Sequence, residues 1–83
     1  DNLPKIWLLQ VGEASDTETA NKMLVRLRNK GHKAFVQPTG KTAENRYFVY
    51  VGPKIDLLTI QRDKTTIDRQ FAAISSTVVR YVR

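Results

Sequence analysis

Residues 46–53 read RYFVYVGP. Residues 46–51 are the clearest β-strand pattern in the chain, because aromatic and β-branched residues fit a pleated surface, and the Gly-Pro that follows ends the run. Side chains alternate across a strand, so Arg46, Phe48 and Tyr50 share one face. A buried guanidinium would need a partner that these apolar neighbours do not offer. The stretch therefore predicts a strand whose exposed face carries aromatic rings.

A strand and a helix are predicted upstream of this segment. Residues 5–11 (KIWLLQV) fit a strand that Gly12 closes. Ser15 with Glu18 three residues on is a capping-box signature, and Gly31 is the expected C-terminal stop. Between these signals, apolar residues recur at the spacing of one helix face, namely Ala20, Met23, Leu24 and Leu27.

The remaining elements are two strands and a second helix. Residues 33–37 (KAFVQ) fit a strand, and a long loop that begins with the turn residues PTGK joins it to the strand at 46–51. Asp56 is a candidate cap for a helix, although Lys64 interrupts its apolar stripe. That stripe comprises Leu57, Ile60, Ile67, Phe71 and Ile74. Residues 77–82 (TVVRYV) form the predicted last strand.

The resulting order is β-α-β-β-α-β, the ferredoxin-like pattern of the α+β class. It predicts a four-stranded antiparallel sheet of order 4-1-3-2, with both helices on one face and the other face open to solvent. Residues 1–4 are the predicted end of a linker, and residues 5–83 form a single domain.

The polarity of alternating side chains predicts which of them lie on the open face. In the first strand the set with Gln10 is assigned outward, which leaves Trp7 and Leu9 for the core. In the second strand the small apolar Ala34 and Val36 are assigned inward. The last strand is ambiguous, and its tyrosine-containing set is assigned outward. The predicted open face thus carries Ile6, Leu8, Gln10, Lys33, Phe35, Arg46, Phe48, Tyr50, Val79 and Tyr81.

Composition limits the kind of protein. Lysine and arginine outnumber aspartate and glutamate by 14 to 8, and the net charge of +6 favours an anionic partner without identifying it. A chain of 83 residues buries a thin core, so we expect an open binding surface. There are no cysteines, and the apolar run at 6–9 is far shorter than the roughly 20 residues of a spanning helix. Because the chain starts at Asp1, we expect a domain of a longer, membrane-anchored protein.

Four short segments occur in a recognisable order. They are WLLQVG at 7–12, LRNKG at 27–31, AFV at 34–36 and VYVGP at 49–53. Together they resemble the SPOR domain family, whose first strand commonly has an aromatic residue followed three residues on by Gln-x-Gly and whose third strand leaves through Val-Gly-Pro. Each piece is short, but the four appear in the family's order over nearly the whole chain.

The chain departs from this family pattern at two places. Many members follow Gln-x-Gly with a small residue and then an aromatic one, whereas this chain has Glu13 and Ala14. Many also carry an arginine four residues before the glycine of Val-Gly-Pro, where this chain has Phe48. Arg46 lies two residues earlier on the same predicted face, so we expect it to supply that charge.

The resemblance implies a non-catalytic module that binds peptidoglycan glycan strands lacking stem peptides and targets its parent protein to the division septum. It also implies the bacterial cell envelope, on the periplasmic side, with other division or envelope proteins as further partners and with no cofactor, metal or nucleic acid. Removing the stem peptides frees the lactyl carboxylate of each N-acetylmuramic acid, which leaves anions beside apolar sugar faces. The predicted glycan-binding residues are Leu8, Gln10, Phe35, Arg46, Phe48, Tyr50, Val79 and Tyr81.

Other interpretations start from the same residues. RNA-recognition motifs share the element order and stack bases on sheet aromatics, but residues 47–51 lack the Lys/Arg-Gly-aromatic-Gly start of their third-strand signature. An acylphosphatase-like enzyme needs a phosphate cradle after the first strand, where Glu13 and Asp16 would repel phosphate. The two faces could also be exchanged, which would bury the aromatics, or the aromatic face could form a dimer interface.

Overall fold

The computed structural model describes residues 6–38, 46–71 and 74–81. Its elements are β1 (Ile6–Ala14), α1 (Thr17–Asn29), β2 (Ala34–Pro38), β3 (Tyr47–Lys54), α2 (Leu57–Gln70) and β4 (Thr77–Tyr81). The strands form one antiparallel sheet of order β2-β3-β1-β4, which is the predicted order read in reverse. The predicted linker end at 1–4 and the loop residues 39–45 lie outside the described residues. The ferredoxin-like fold class is confirmed.

The core lies between both helices and one face of the sheet. Its largest side chains with less than 2% exposure come from α1, α2, β1 and β3, and they are Leu9, Leu27, Val49, Val51, Ile60 and Ile67. Partly buried residues that pack against this cluster include Trp7, Val36, Tyr47 and Val78. The predicted inward sets of β1, β2 and β3 are therefore confirmed, as is Val78 of β4, whereas Arg80 of the predicted inward set of β4 is exposed. Phe35, Phe48 and Tyr50 of the opposite sets do not belong to the core.

The sequence predicted that β1 ends at Gly12, but the strand continues to Ala14. The register against β3 shifts between Gln10 and Gly12, as a β-bulge does. Val11 is a core residue, and a Cβ at Gly12 would meet the Sδ of Met23 in α1, so these two consecutive positions both face the helices. The bulge thus reverses the alternation, which buries Ala14 in the core.

The ends of the helices agree only in part with the predicted signals. Asp16, and not Ser15, caps α1, because its extended backbone lets Oδ1 accept a 2.7 Å hydrogen bond from the N–H of Thr19. This hydrogen bond lowers the pKa of the Asp16 carboxyl. Asp56 caps α2, as predicted. Gly31, which has φ of 88°, ends α1, also as predicted. Within the described residues, neither helix is long and apolar enough to cross a membrane.

Two strand boundaries also differ from the prediction. Strand β2 begins at Ala34 and not at Lys33. Strand β3 begins after Arg46 and continues through Gly52 and Pro53 to Lys54. Glycine makes this continuation possible, because Gly52 has φ of 125° and a Cβ there would approach a β1 backbone oxygen at 3.2 Å. The predicted last residue of β4, Val82, lies outside the described residues.

A polar network explains why Lys64 interrupts the apolar stripe of α2. Its ammonium donates to Asp68 Oδ2 at 2.8 Å and to the backbone oxygen of Ser76 at 2.5 Å. Asp68 Oδ1 in turn accepts from the backbone N–H and the hydroxyl of Ser76 at 3.0 and 2.6 Å. Since Ser76 immediately precedes β4, this network fixes the end of α2 against the start of that strand.

Replacing Leu9 with alanine is expected to destabilise the domain strongly. The side chain is fully buried, and truncating a buried leucine costs about 2–5 kcal/mol through lost transfer free energy and a residual cavity. Denaturant unfolding measures this cost. Val25→Ala, at a helix position with 52% exposure, is the control and should change the free energy of unfolding by less than about 0.5 kcal/mol. Equal effects of the two changes would place Leu9 outside the core.

The charge of Asp68 should make stability depend on acid pH. Hydrogen bonds from Lys64 and Ser76 lower the pKa of Asp68 to about 2, whereas an unfolded aspartate titrates near about 3.9. The lowered folded-state pKa contributes stability above about pH 4, and this contribution is lost as the pH falls through about 2. Unfolding free energies of the parent and of Asp68→Asn should therefore converge as the pH is lowered. A constant difference between them would contradict the assignment.

Candidate functional site

The face of the sheet opposite the helices carries several of the predicted site residues in cross-strand rows. We call this surface the open face. The central row runs from β2 to β4 and comprises Phe35, Tyr50, Gln10 and Thr77. A second row, on the side of the β1 bulge, comprises Gln37, Phe48 and Glu13. A third row, toward the start of β1, consists of the pair Leu8 and Val79.

Aromatic rings form one continuous group on the β2–β3 half of the open face. The ring centroids of Phe35 and Tyr50 are 5.5 Å apart with planes tilted by 31°, and those of Phe48 and Tyr50 are 6.1 Å apart at 58°. These distances are within the range of favourable aromatic pairs. All three residues are half-buried, so part of each remains accessible. We call Phe35, Phe48 and Tyr50 the aromatic cluster.

Polar groups border the aromatic cluster toward the middle of the sheet. Partial burial raises the pKa of Tyr50, so its phenol is neutral at physiological pH and able to donate a hydrogen bond. Gln10 pairs with Tyr50 on one side and with Thr77 on the other, and its amide can both donate and accept. The open face thus places apolar plates beside neutral hydrogen-bonding groups.

The structure differs from the prediction at Leu8 and Lys33, and it does not describe the side chain of Tyr81. Leu8 is only 4% exposed, although it lies outside the main core, so the prediction that it is accessible was wrong. Its burial reflects its strand neighbours, since it pairs with Val79 and its Cδ2 would lie 3.4 Å from a Cβ at Gly52. Lys33 is exposed but precedes β2. The backbone of Tyr81 pairs with Ile6, while its side chain lies outside the described part of the structure.

Sequence reasoning missed Glu13 as a residue of this face. The bulge turns Glu13 away from the core and places it directly opposite Phe48. Its Oε1 accepts a 2.5 Å hydrogen bond from Nη1 of Arg46, the residue that precedes β3. Gly12 was the available signal, because a glycine inside a strand pattern often marks a bulge. The predicted cation of the open face is therefore in contact with a carboxylate of the same face.

Titratable side chains in the described ranges form no candidate metal site. No group of three or more histidine or carboxylate residues in them is arranged to hold a metal ion. His32, a lone histidine in the sequence, makes a 2.9 Å hydrogen bond from Nε2 to Oε1 of Gln70 and so joins the ends of the two helices. This contact gives the imidazole a structural role.

Comparison with known proteins agrees with this geometry. The family model of the SPOR domain matches residues 3–80, which is nearly the whole chain. The chain belongs to the SPOR domain family. No curated protein matches this SPOR domain by sequence.

Two solved structures resemble this SPOR domain. One is the solution structure of the peptidoglycan-binding domain of the B. subtilis cell wall lytic enzyme CwlC, with a TM-score of 0.79, 13% identity, and coverage of 99% of this chain and 96% of that one. The other is the Spor protein DedD, with a TM-score of 0.67, 19% identity, and coverage of 93% of this chain and 39% of that one. At such identities these likenesses show a shared fold.

Replacing Phe48 with alanine should leave the SPOR domain folded. Phe48 contributes a half-buried ring on the open face, so its removal should lower the free energy of unfolding by about 1 kcal/mol or less. Denaturant unfolding of Phe48→Ala beside Leu9→Ala measures the contrast between the two faces. If both changes destabilise the domain equally, the aromatic cluster is part of the core and is not a surface.

Proposed function

We propose that this SPOR domain is a non-catalytic module that binds glycan strands of peptidoglycan lacking stem peptides. Membership of the SPOR family supports the proposal, as does the shared fold with a domain described as peptidoglycan-binding. The observation that carries it is the accessible aromatic cluster beside Gln10 on the sheet face that neither helix covers.

The chemistry of the open face suits a sugar chain. Aromatic rings pack against the apolar faces of pyranose rings and lose little conformational freedom in doing so. The half-buried amide of Gln10 is available to acetamido and hydroxyl groups, which both donate and accept hydrogen bonds. Phe35 lies directly across from Tyr50, and Phe48 lies two residues before Tyr50 on β3, so the three rings offer adjacent apolar contacts to a bound sugar chain.

The positive charge of the protein favours binding of glycans that bear free carboxylates. Loss of the stem peptide leaves a lactyl carboxylate on each N-acetylmuramic acid, and the protein carries a net charge of +6. Arg46 lies at the edge of the aromatic cluster and Lys33 is exposed before β2. A guanidinium binds a carboxylate through charge-assisted hydrogen bonds. The net positive charge therefore attracts anionic sugars to the protein, and Arg46 is proposed to contact them at the edge of the aromatic cluster.

A cellular role follows from this specificity. Glycan strands without stem peptides arise where amidases act, as they do at the division septum. We propose that the domain holds its parent protein at the septum, on the periplasmic side of a bacterial cell envelope. Val79 and Tyr81 of β4 are proposed to extend the contact beyond the aromatic cluster. The domain would supply binding, while any membrane anchor would come from another part of the parent protein.

Sedimentation with purified sacculi tests the proposal. The domain should co-sediment with amidase-treated sacculi and much less with untreated ones. Phe48→Ala should reduce this retention, whereas Leu58→Ala, a change at a 65% exposed apolar residue of α2, should not. Raising the salt from about 0.1 to 1 M shortens the Debye length from about 10 to 3 Å, so retention should fall without vanishing.

Three results would contradict the proposal. Equal retention by treated and untreated sacculi would remove the specificity for denuded strands. Full retention of Phe48→Ala would exclude the aromatic cluster as the binding surface. Displacement of the domain from sacculi by single-stranded RNA would favour the RNA-recognition alternative.

A further inference from the structure

The bulge in β1 places a carboxylate within the proposed binding face. Glu13 lies opposite Phe48 in the sheet, next to the aromatic cluster. Its side chain is 38% exposed and that of Arg46 is 53% exposed, so solutes can reach both partners of their ion pair. A ligand that lies along the aromatic cluster therefore meets a negative charge and a positive charge together.

The contact between these two residues restricts what Arg46 can do for a ligand. Nη1 of Arg46 already donates to Glu13 at 2.5 Å. A carboxylate that is to use the same donor must displace Glu13 and also overcome repulsion from it. The pair is solvent-exposed, so the competition is modest in energy and is decided by the charge of the ligand.

We propose that Glu13 is a specificity-determining residue that competes with the carboxylates of the glycan for Arg46. This inference rests on the proposed function and adds to it. With Glu13 present, the aromatic cluster supplies most of the affinity, and the advantage of a carboxylate-bearing glycan over a neutral one is reduced. Without Glu13, the Nη1 donor of Arg46 loses this competing acceptor, so a ligand carboxylate binds there more readily and selectivity for anionic glycan increases.

Titration calorimetry with glycan oligosaccharides tests this competition. The two ligands are a denuded peptidoglycan oligosaccharide with free lactyl carboxylates and the same oligosaccharide with its carboxylates converted to methylamides. The proteins are the parent domain, Glu13→Gln, Arg46→Gln and the double variant. Glu18→Gln is the matched control, because Glu18 is an 82% exposed carboxylate paired with Lys22 on α1, and its change alters the net charge equally.

Glu13→Gln should bind the carboxylate-bearing oligosaccharide about two- to fivefold more tightly than the parent, as expected when an exposed ion pair no longer competes. Most of this gain should disappear with the methylamide ligand and in the Arg46→Gln background. Glu18→Gln should show no comparable gain. Melting temperatures of all variants should remain close to that of the parent, because the altered side chains are exposed.

Other outcomes would overturn the inference in distinguishable ways. Weaker binding by Glu13→Gln would mean that Glu13 positions Arg46 for the ligand. Glu13→Gln could raise the affinity equally with Arg46 present and in the Arg46→Gln background, or Glu18→Gln could raise it as much. Either result would mean that the effect is general charge repulsion. In each of these cases the parent still binds the glycan, and the proposed function stands. If neither the parent nor any variant binds either oligosaccharide, the proposed function fails and the inference fails with it.

Discussion

The dominant constraint on this domain is that its two helices cover only one face of a four-stranded sheet. Because side chains alternate along each strand, every strand must supply one set to the core and one to an uncovered surface. Leu9 and Val49 are fully buried in the first set, while Phe48 and Tyr50 are half-buried in the second. The face that packs under the helices stabilises the fold, and the open face is the surface proposed to bind glycan.

The bulge of β1 connects these two roles. As a central strand, β1 pairs with β3 on one side and β4 on the other, so a change in its alternation affects the whole sheet. Two consecutive inward positions at Val11 and Gly12 allow Ala14 to complete the core. The same change brings Glu13 to the open face beside Phe48. The packing of Ala14 under the helices is thereby linked to the position of the Glu13 carboxylate on the open face.

A second connection links α2 to the edge of the open face. The network of Lys64, Asp68 and Ser76 fastens the helix to the chain just before β4. Strand β4 then pairs with β1 and brings Val79 beside Leu8. Polar contacts on the helical side thus hold in place the strand that completes the proposed glycan-binding surface, although none of these three residues belongs to that surface.

The sequence by itself determined the element order, the inward residues of β1 to Val11, of β2 and of β3, and the helix ends at Gly31 and Asp56. These features follow from local chemistry, namely strand alternation, helical periodicity and the conformational preferences of single residues. The aromatic cluster was predictable for the same reason.

Only the tertiary structure decided how β1 continues past Gly12, that Leu8 is buried, and that Glu13 contacts Arg46. The strand continues because Gly12, Glu13 and Ala14 pair with β3, and the side chain of Met23 of α1 packs against Gly12. Leu8 is enclosed by neighbours from other strands. Glu13 and Arg46 are 33 positions apart in the chain and meet only through the register of β1 and β3. Each of these features depends on contacts between distant segments, which periodicity and local propensity do not encode.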